Sequence, residues 1–286
     1  MHSLVLLFFS VSTFAQMPDT DVWLFKLKAD KNGDLLLQEG FNITNRKGYD
    51  NQVSFSNNGK QLYYSSVRED GQADIYLADT KSKKIQQLSH TAESEYSPTP
   101  FFDTKLLSTV VVEKDSAQHI HLLSAETGLD AAKLSIDSVG YHCFVNEDTV
   151  VYFKLTEPQS LRYYVRSTGE NKFIASSPTR SILRKNRHTI IFATKDSVQT
   201  TFYEYDFLLR KSNVICSVSG VSEDAYYTAS HGLLRSDGSK ILRYNSTTKD
   251  WQVLYELGLF GITKIARFKL DAEHKQMAVV QVNTGQ

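Results

Sequence analysis

Residues 53–66 read Val53-Ser54-Phe55-Ser56-Asn57-Asn58-Gly59-Lys60-Gln61-Leu62-Tyr63-Tyr64-Ser65-Ser66. Apolar and polar residues alternate on both sides of an Asn-Gly pair. This pattern predicts two antiparallel strands joined by a two-residue turn with positive φ at Asn58 and Gly59. Two more short apolar runs follow at 73–78 and 85–88. The whole stretch therefore predicts a four-stranded antiparallel meander.

Weaker copies of this pattern recur at intervals of about 40 to 45 residues, a period typical of propeller blades. Further blades are predicted at 98–136, 141–175, 180–216 and 225–255. A sixth blade begins at Lys264 but has sequence for only two strands, at 264–268 and 277–282. The missing strands are expected near the N-terminus, at 21–27 and 41–44, because 21–27 resembles the third strand of the first blade. The sequence thus predicts an all-β, six-bladed β-propeller whose ring is closed by N-terminal strands, which leaves no long unpaired edge.

The N-terminal segment differs in character from the repeats. An apolar run at 4–11 is followed by small side chains up to Ala15. Such a run is too short to cross a bilayer and predicts a cleaved signal peptide at residues 1–15, with a buried first strand as the alternative. We therefore expect a single propeller domain at residues 16–286, without a membrane span, in a periplasmic or secreted location.

Composition narrows the classes of partner. The chain has 32 Lys and Arg residues against 32 Asp and Glu residues, spread along its length, so no basic stripe for nucleic acid is present. Cys143 falls on a predicted innermost strand and Cys216 on a predicted outermost strand. Their Cα atoms would lie beyond bridging distance, so we expect two buried, unpaired thiols.

The sequence lacks the common catalytic signatures. It has no Gly-x-Ser-x-Gly, no glycine-rich phosphate loop, no His-Glu-x-x-His and no Cys-x-x-Cys. His119 and His121 share one face of a predicted strand but have no evident third ligand, which favours a packing or surface role over a metal site. We predict neither a metal nor a cofactor.

Residues 49–88 resemble the repeat of the TolB-type, WD40-like propellers of bacterial envelopes. In that family a Ser-Pro-Asp-Gly-Lys turn joins the first two strands and Asp-Ile-Tyr begins the third. Here Ser56-Asn57-Asn58-Gly59-Lys60 stands at the turn and Asp74-Ile75-Tyr76 keeps the other signature. The second blade is only partly similar, since Phe102-Asp103-Thr104-Lys105 lacks the glycine. The resemblance implies export and a protein-binding or ligand-binding role, and it carries no catalytic motif.

The candidate site comes from propeller geometry. The connections into the first strands of the blades converge near the axis on one face, although they are far apart in sequence. Aromatic, amide, imidazole, guanidinium and carboxylate groups meet there, as a small-molecule or peptide-end pocket requires. The predicted binding residues are Asn51, Gln52, Tyr96, Tyr141, His142, Arg180 and Asp224. The alternative is that these groups only solvate and hold the loops.

Two classes of function fit this sequence. The first is a monomeric, non-catalytic binding module that presents the channel mouth to a protein, peptide or glycan. The second is a propeller enzyme, such as a carbohydrate lyase or a lactone or ester hydrolase, with a central metal or with His142 as base and Arg180 stabilising a developing anion. The scarcity of axial carboxylates and histidines favours the binding module.

Overall fold

The computed structural model of the chain describes residues 17–31 and 35–283. Within these residues 24 strands form six four-stranded antiparallel sheets arranged in a ring. The predicted all-β, six-bladed propeller is confirmed. No helix in the described part of the chain has the length and apolar character needed to cross a bilayer. The predicted leader at residues 1–15 lies outside the described residues.

Five blades are continuous in sequence and one is composite. Blade I contains β3 (Asp50–Phe55), β4 (Gln61–Val67), β5 (Ala73–Asp79) and β6 (Ile85–Gln87). Blade II contains β7 (Ser94–Pro100), β8 (Leu106–Val112), β9 (Gln118–Ser124) and β10 (Asp130–Lys133). Blade III contains β11 (Val139–Phe144), β12 (Thr149–Lys154), β13 (Ser160–Val165) and β14 (Asn171–Ser176). Blade IV contains β15 (Pro178–Asn186), β16 (Thr189–Lys195), β17 (Gln199–Asp206) and β18 (Lys211–Ser219). Blade V contains β19 (Ala225–Thr228), β20 (Gly232–Asp237), β21 (Lys240–Asn245) and β22 (Asp250–Glu256).

Blade VI joins the two ends of the chain. After the 3₁₀ turn Gly258–Phe260, β23 (Ile265–Leu270) and β24 (Gln276–Val282) supply two strands, and β1 (Thr20–Ala29) and β2 (Leu35–Asn42) supply the others. The strand order is β23-β24-β1-β2. β1 pairs with β24 from Thr20 opposite Val282 to Lys26 opposite Gln276. The predicted closure by N-terminal strands is therefore confirmed.

The first strands of the blades surround the axis. β3 contacts β7 and β23, and β15 contacts β11 and β19. Farther from the axis, apolar faces of neighbouring blades pack against each other. Between blades V and VI, Phe25, Phe268 and Met277 are fully buried against Leu234 and Ile241. Each such side chain contributes about 1.5–3 kcal/mol through burial, so stability depends mainly on the contacts between blades.

The turn between β3 and β4 differs from the sequence prediction. Gly59 has a φ of 66°, but Asn58 is not among the residues with positive φ. The N–H of Gly59 donates to the carbonyl of Ser56 at 2.9 Å, and the N–H of Ser56 donates to the carbonyl of Gln61 at 2.9 Å. The prediction of a two-residue turn was wrong, because a longer loop leaves only the glycine in the left-handed region.

The two cysteines are unbridged. Cys143 lies on the innermost strand of blade III and Cys216 on the outermost strand of blade IV, as predicted. Both side chains are half-buried rather than fully buried. Burial raises the pKa of the Cys216 thiol to about 11, so this thiol is protonated at neutral pH.

Candidate functional site

The first strands of the blades are irregular near the axis. Their pairing with the second strands shifts between Asn51 and Ser54, Tyr96 and Thr99, Val139 and Tyr141, Pro178 and Ile182, and Ile265 and Arg267. Gln52 and Ser97 occupy the left-handed region, with φ of 58° and 55°. A bulge of this kind redirects side chains and often lies beside a functional site.

A small cavity of about 80 Å³ lies among these strands, and we call it the axial cavity. All six first strands contribute to its wall. Its charged and ring-bearing lining residues are Tyr141, His142, Arg180, Asp224, Arg267 and Lys269, and Gln52 also lines it. The structure thus brings five of the seven predicted residues together, from blades I, III, IV and V.

Arg180 and Asp224 form the acidic–basic pair of the axial cavity. Arg180 Nε lies 3.8 Å from Asp224 Oδ1, and a terminal nitrogen of Arg180 donates to the carbonyl of Ala266 at 2.6 Å. The other oxygen of Asp224 accepts from the N–H of Phe268 at 3.1 Å. Burial raises the pKa of Asp224, while the positive charges of Arg180, Arg267 and Lys269 oppose that rise. The pair therefore links blades IV, V and VI.

His142 lies in the wall of the same cavity. Its Nε2 is 2.8 Å from the hydroxyl of Ser108, and its Nδ1 is buried without a hydrogen-bond partner. Burial lowers the pKa of His142 to about 4. The imidazole is consequently neutral at pH 7, and one of its nitrogens is already engaged.

Sequence reasoning missed two cations, Arg267 and Lys269, on β23. A terminal nitrogen of Arg267 lies 3.4 Å from the Tyr141 hydroxyl, and the guanidinium stands over the Tyr141 ring at 5.2 Å. Lys269 stands over the ring of Tyr226 at 4.8 Å, and burial lowers its pKa. The available signal was two cations flanking Phe268 on a first strand, but the sequence prediction named no binding residue in this blade.

A wider cavity of about 830 Å³ opens on the face where the connections between blades lie, and we call it the mouth cavity. Its lining includes Asn51, Arg180, Val221, Asp224 and Lys264. Arg180 and Asp224 line both cavities, so they form the boundary between them. The volume lies in the range of small-molecule sites.

Three of the predicted residues make contacts within the protein that need no ligand. Asn51 is almost fully buried, and its side-chain oxygen accepts from the N–H of Gln52 at 2.7 Å. Gln52 Oε1 accepts from the N–H of Ser97 at 2.5 Å, which connects blades I and II. Tyr96 does not line the axial cavity and packs against the apolar cluster between blades II and III. The ligand-binding role of all seven residues stays a prediction.

Among the buried carboxyls outside the axial cavity, Glu95 has a strongly raised pKa. Glu95 on β7 is 1% exposed and accepts hydrogen bonds from the hydroxyls of Ser89, at 2.9 Å, and Thr91. Burial raises the pKa of Glu95 to about 7, and its two hydroxyl partners only partly offset that rise. Glu95 therefore changes charge near neutral pH.

Metal-binding side chains do not cluster in the described part of the chain. Within residues 17–31 and 35–283, no group of three or more His, Cys, Asp or Glu side chains could hold a metal ion. His121 instead hydrogen-bonds Asp130 at 2.8 Å and Glu113 at 3.3 Å, and His119 contacts the carbonyl of Ile136 at 2.9 Å. Both histidines of the pair thus have hydrogen-bond partners within the protein.

The sequence matches no protein-family profile and no curated protein. The fold, in contrast, is similar to that of several solved structures. A protein assigned as TolB from Agrobacterium tumefaciens has a TM-score of 0.67 and 9% identity, over 94% of this chain and 100% of that chain. TolB from Acinetobacter baumannii has a TM-score of 0.59 and 9% identity, over 94% of this chain and 65% of that chain. An oligogalacturonate lyase in complex with manganese has a TM-score of 0.57 and 10% identity, over 92% of this chain and 86% of that chain.

Identities at this level carry the likeness of the fold and nothing further. The likeness agrees with the closed ring of six blades and with the repeat that begins at Tyr49. The chain is therefore a six-bladed β-propeller with the fold of TolB-type proteins.

Proposed function

We propose that this chain is an exported, TolB-like propeller that acts as a non-catalytic binding module. Its ligand enters the mouth cavity and reaches Arg180 and Asp224 at the boundary with the axial cavity. The observation that carries the proposal is the convergence of residues from four blades on one open cavity of about 830 Å³. A closed ring fixes these residues in place before a ligand arrives, which lowers the entropic cost of binding.

The state of His142 supports binding rather than catalysis. A general base must reach the proton that it removes. His142 does not line the mouth cavity, and its Nε2 is engaged by Ser108. With its pKa lowered to about 4, the imidazole is also a weak base at neutral pH.

The alternative is a propeller enzyme such as a carbohydrate lyase. The likeness to an oligogalacturonate lyase in complex with manganese gives this alternative its support. The residues present do not fit such a centre, since the described part of the chain has no cluster of three metal-binding side chains. We therefore derive no metal-dependent step for this chain.

Export and the kind of partner are parts of the same proposal. The predicted signal peptide and the fold shared with TolB proteins support a periplasmic or secreted location. The mouth cavity carries Arg180, Lys264 and Asp224 beside the apolar side chain of Val221. This mixture suits a protein segment, a peptide or a glycan, and we propose that the chain is a monomer.

A thermal-shift screen with synthetic peptides, oligosaccharides and lactones tests the proposal, because a ligand that binds only the folded state raises the melting temperature. Val221→Lys places a long side chain in the mouth cavity, and Val214→Lys is the matched control on the outermost strand of blade IV. The two valines are 63% and 64% exposed, so neither change should disturb the core. A ligand response lost only in Val221→Lys, with the ligand recovered unchanged, supports the binding module. Chemical conversion of the ligand supports the enzyme instead, and an equal response in both variants contradicts the mouth cavity as the site.

A further inference from the structure

Three side chains that line the axial cavity each carry a nitrogen atom that the protein leaves unpaired. Arg180 Nε, Arg267 Nε and His142 Nδ1 are buried and have no hydrogen-bond partner. All three side chains line the axial cavity. Buried polar atoms are normally paired, because an unpaired one loses its hydration without a replacement. Three such atoms around one cavity indicate a missing hydrogen-bond acceptor.

The tautomer of His142 is compatible with donation into the cavity. The hydroxyl of Ser108 lies 2.8 Å from Nε2 and 3.3 Å from the carbonyl of Thr99, so the shorter bond to Nε2 is the stronger use of its single proton. With Nε2 as the acceptor, the proton of the imidazole is on Nδ1. Arg180 Nε is 3.8 Å from Asp224 Oδ1, too far for a hydrogen bond. Asp224 therefore does not satisfy this N–H, although it lies beside it.

The charge balance of the axial cavity is also one-sided. Its cationic lining residues are Arg180, Arg267 and Lys269, and its acidic lining residue is Asp224. Asp224 is already held by the N–H of Phe268 at 3.1 Å. Burial lowers the pKa of Lys269, so the site disfavours its positive charge as it stands. An added anion would relieve both the unpaired donors and the excess of cations.

The size of the cavity limits the anion to a few atoms. A volume of about 80 Å³ can hold a small cluster of water-sized groups but not a sugar ring. A planar carboxylate also matches the geometry of guanidinium donors. Arg180 and Asp224 separate this space from the mouth cavity, so a ligand in the mouth could extend a carboxylate past them.

We propose that the axial cavity is a carboxylate site, in which Arg180, Arg267 and His142 donate hydrogen bonds and Lys269 balances the charge. The carboxylate is either a free small acid or the terminal carboxylate of a peptide bound in the mouth cavity. The second source rests on the proposed binding function, whereas the first does not. Binding of acetate, compared with binding of a peptide and its amide, distinguishes the two sources.

The first arm uses acetate alone. Calorimetry and thermal shift at pH 7 compare sodium acetate with sodium chloride at equal ionic strength, on the full chain. We expect acetate to raise the melting temperature more than chloride does. Equal effects of the two salts would overturn the carboxylate site.

Variants of the cavity provide the second readout. Arg267→Gln and Lys269→Met should each weaken acetate binding at least about tenfold, because each removes a charge-assisted contact. Lys172→Gln removes an exposed cation from the outermost strand of blade III, which lines neither cavity, and is the matched control that should bind acetate normally. Arg267→Lys keeps the positive charge and should retain part of the affinity for acetate. This variant tests the site even if the other two variants fold poorly. Normal acetate binding by folded Arg267→Gln and Lys269→Met would place the acetate elsewhere and contradict the proposal.

The third arm compares a peptide from the screen with a free C-terminal carboxylate and the same peptide as its amide. Tighter binding of the acid, lost in Arg267→Gln, identifies a peptide end as the source. Binding of acetate without preference for the peptide acid identifies a free small acid as the source. Peptide binding that is blocked by Val221→Lys, in a protein that does not bind acetate, supports the proposed function and overturns the carboxylate site.

Discussion

The two faces of β23 differ in their surroundings: one is packed against apolar side chains and the other lines the axial cavity. Phe268 is 1% exposed and packs with Phe25 and Met277 between blades V and VI. Arg267 and Lys269, its neighbours on either side, line the axial cavity, where Arg267 Nε has no partner. Successive side chains of a strand point to opposite faces. One strand therefore carries stability on one face and unpaired polar groups on the other.

This difference predicts which residues stabilise the fold and which residues affect ligand binding. Contacts between blades hold the ring closed, while the axis keeps donors and charges that contribute little to folding. Changes in the interface between blades should lower the free energy of unfolding. Changes at the axis should leave stability nearly unaltered and alter the response to ligands.

The largest effect is expected when blade VI loses the strands from the N-terminal part of the chain. A variant without residues 17–45 lacks β1 and β2, which leaves the edge of β24 unpaired and removes the buried side chains of Val22 and Phe25. We expect aggregation or loss of the cooperative transition, measured by size-exclusion chromatography and thermal melting. The chain from residue 17 onward is the control. A monomeric deletion variant with the control's melting temperature would mean that the ring does not depend on this closure.

The next largest effect is expected from a pair of variants that compares the two faces of β23. Phe268→Ala should lower the free energy of unfolding by about 3–5 kcal/mol, because it opens a cavity in a packed interface. Lys269→Met, one residue away, should change it by less than about 1 kcal/mol or raise it, because it removes a poorly compensated buried charge. Urea unfolding measures both. Equal losses in the two variants would contradict the division between the faces.

A buried carboxyl outside the axial cavity gives an intermediate effect that depends on pH. The pKa of Glu95 rises from 4.5 to about 7 on folding, so between these values the folded state binds a proton that the unfolded state lacks. Stability should therefore fall as the pH rises from about 4.5 to about 8, by at most about 3 kcal/mol. Glu95→Gln should remove this slope, and the exposed Glu69→Gln should not. An unchanged slope in Glu95→Gln would assign the pH dependence to another group.

The smallest effect concerns the contact between blades I and VI at Gly59. Gly59 and Gly71 have φ of 66° and 76°, so alanine at either position costs about 1 kcal/mol of backbone strain. A Cβ at Gly59 would lie 2.9 Å from Asp271 Oδ2, whereas a Cβ at Gly71 meets nothing within 4 Å. Asp271 cannot move away easily, because its other oxygen accepts from the N–H groups of Lys275 and Gln276.

Gly59→Ala should therefore lower the free energy of unfolding by about 1 kcal/mol more than Gly71→Ala does. Chemical denaturation of the two variants measures the difference. Identical losses would mean that the loop after β3 does not contact blade VI closely.

The fold was predictable because its signals are local. The pattern 53–66 and the recurrence of similar patterns along the chain identify blades, and the third-strand character of 21–27 identifies the missing part of blade VI. The turn at Asn58 was mispredicted because one extra pair of loop residues relieves the need for positive φ at the asparagine. Local sequence does not distinguish the predicted two-residue turn from the longer loop that the structure shows.

The candidate site was predictable only in part. Tyr141, His142, Arg180 and Asp224 could be grouped because the blade repeat aligns the beginnings of the first strands. Arg267 was missed because a register shift after Ile265 turns it toward the axis, and no sequence pattern marks that shift.

The sequence by itself determined the number of blades, their strand order and the way in which the ring closes. Alternation of apolar residues, turn glycines and the spacing of repeats can be read along the chain without knowledge of any distant contact. Only the tertiary structure decided which donors remain unpaired. Arg180, Arg267 and His142 are separated in sequence, and the one unpaired nitrogen on each depends on bulges and burial that exist only when the blades surround one axis.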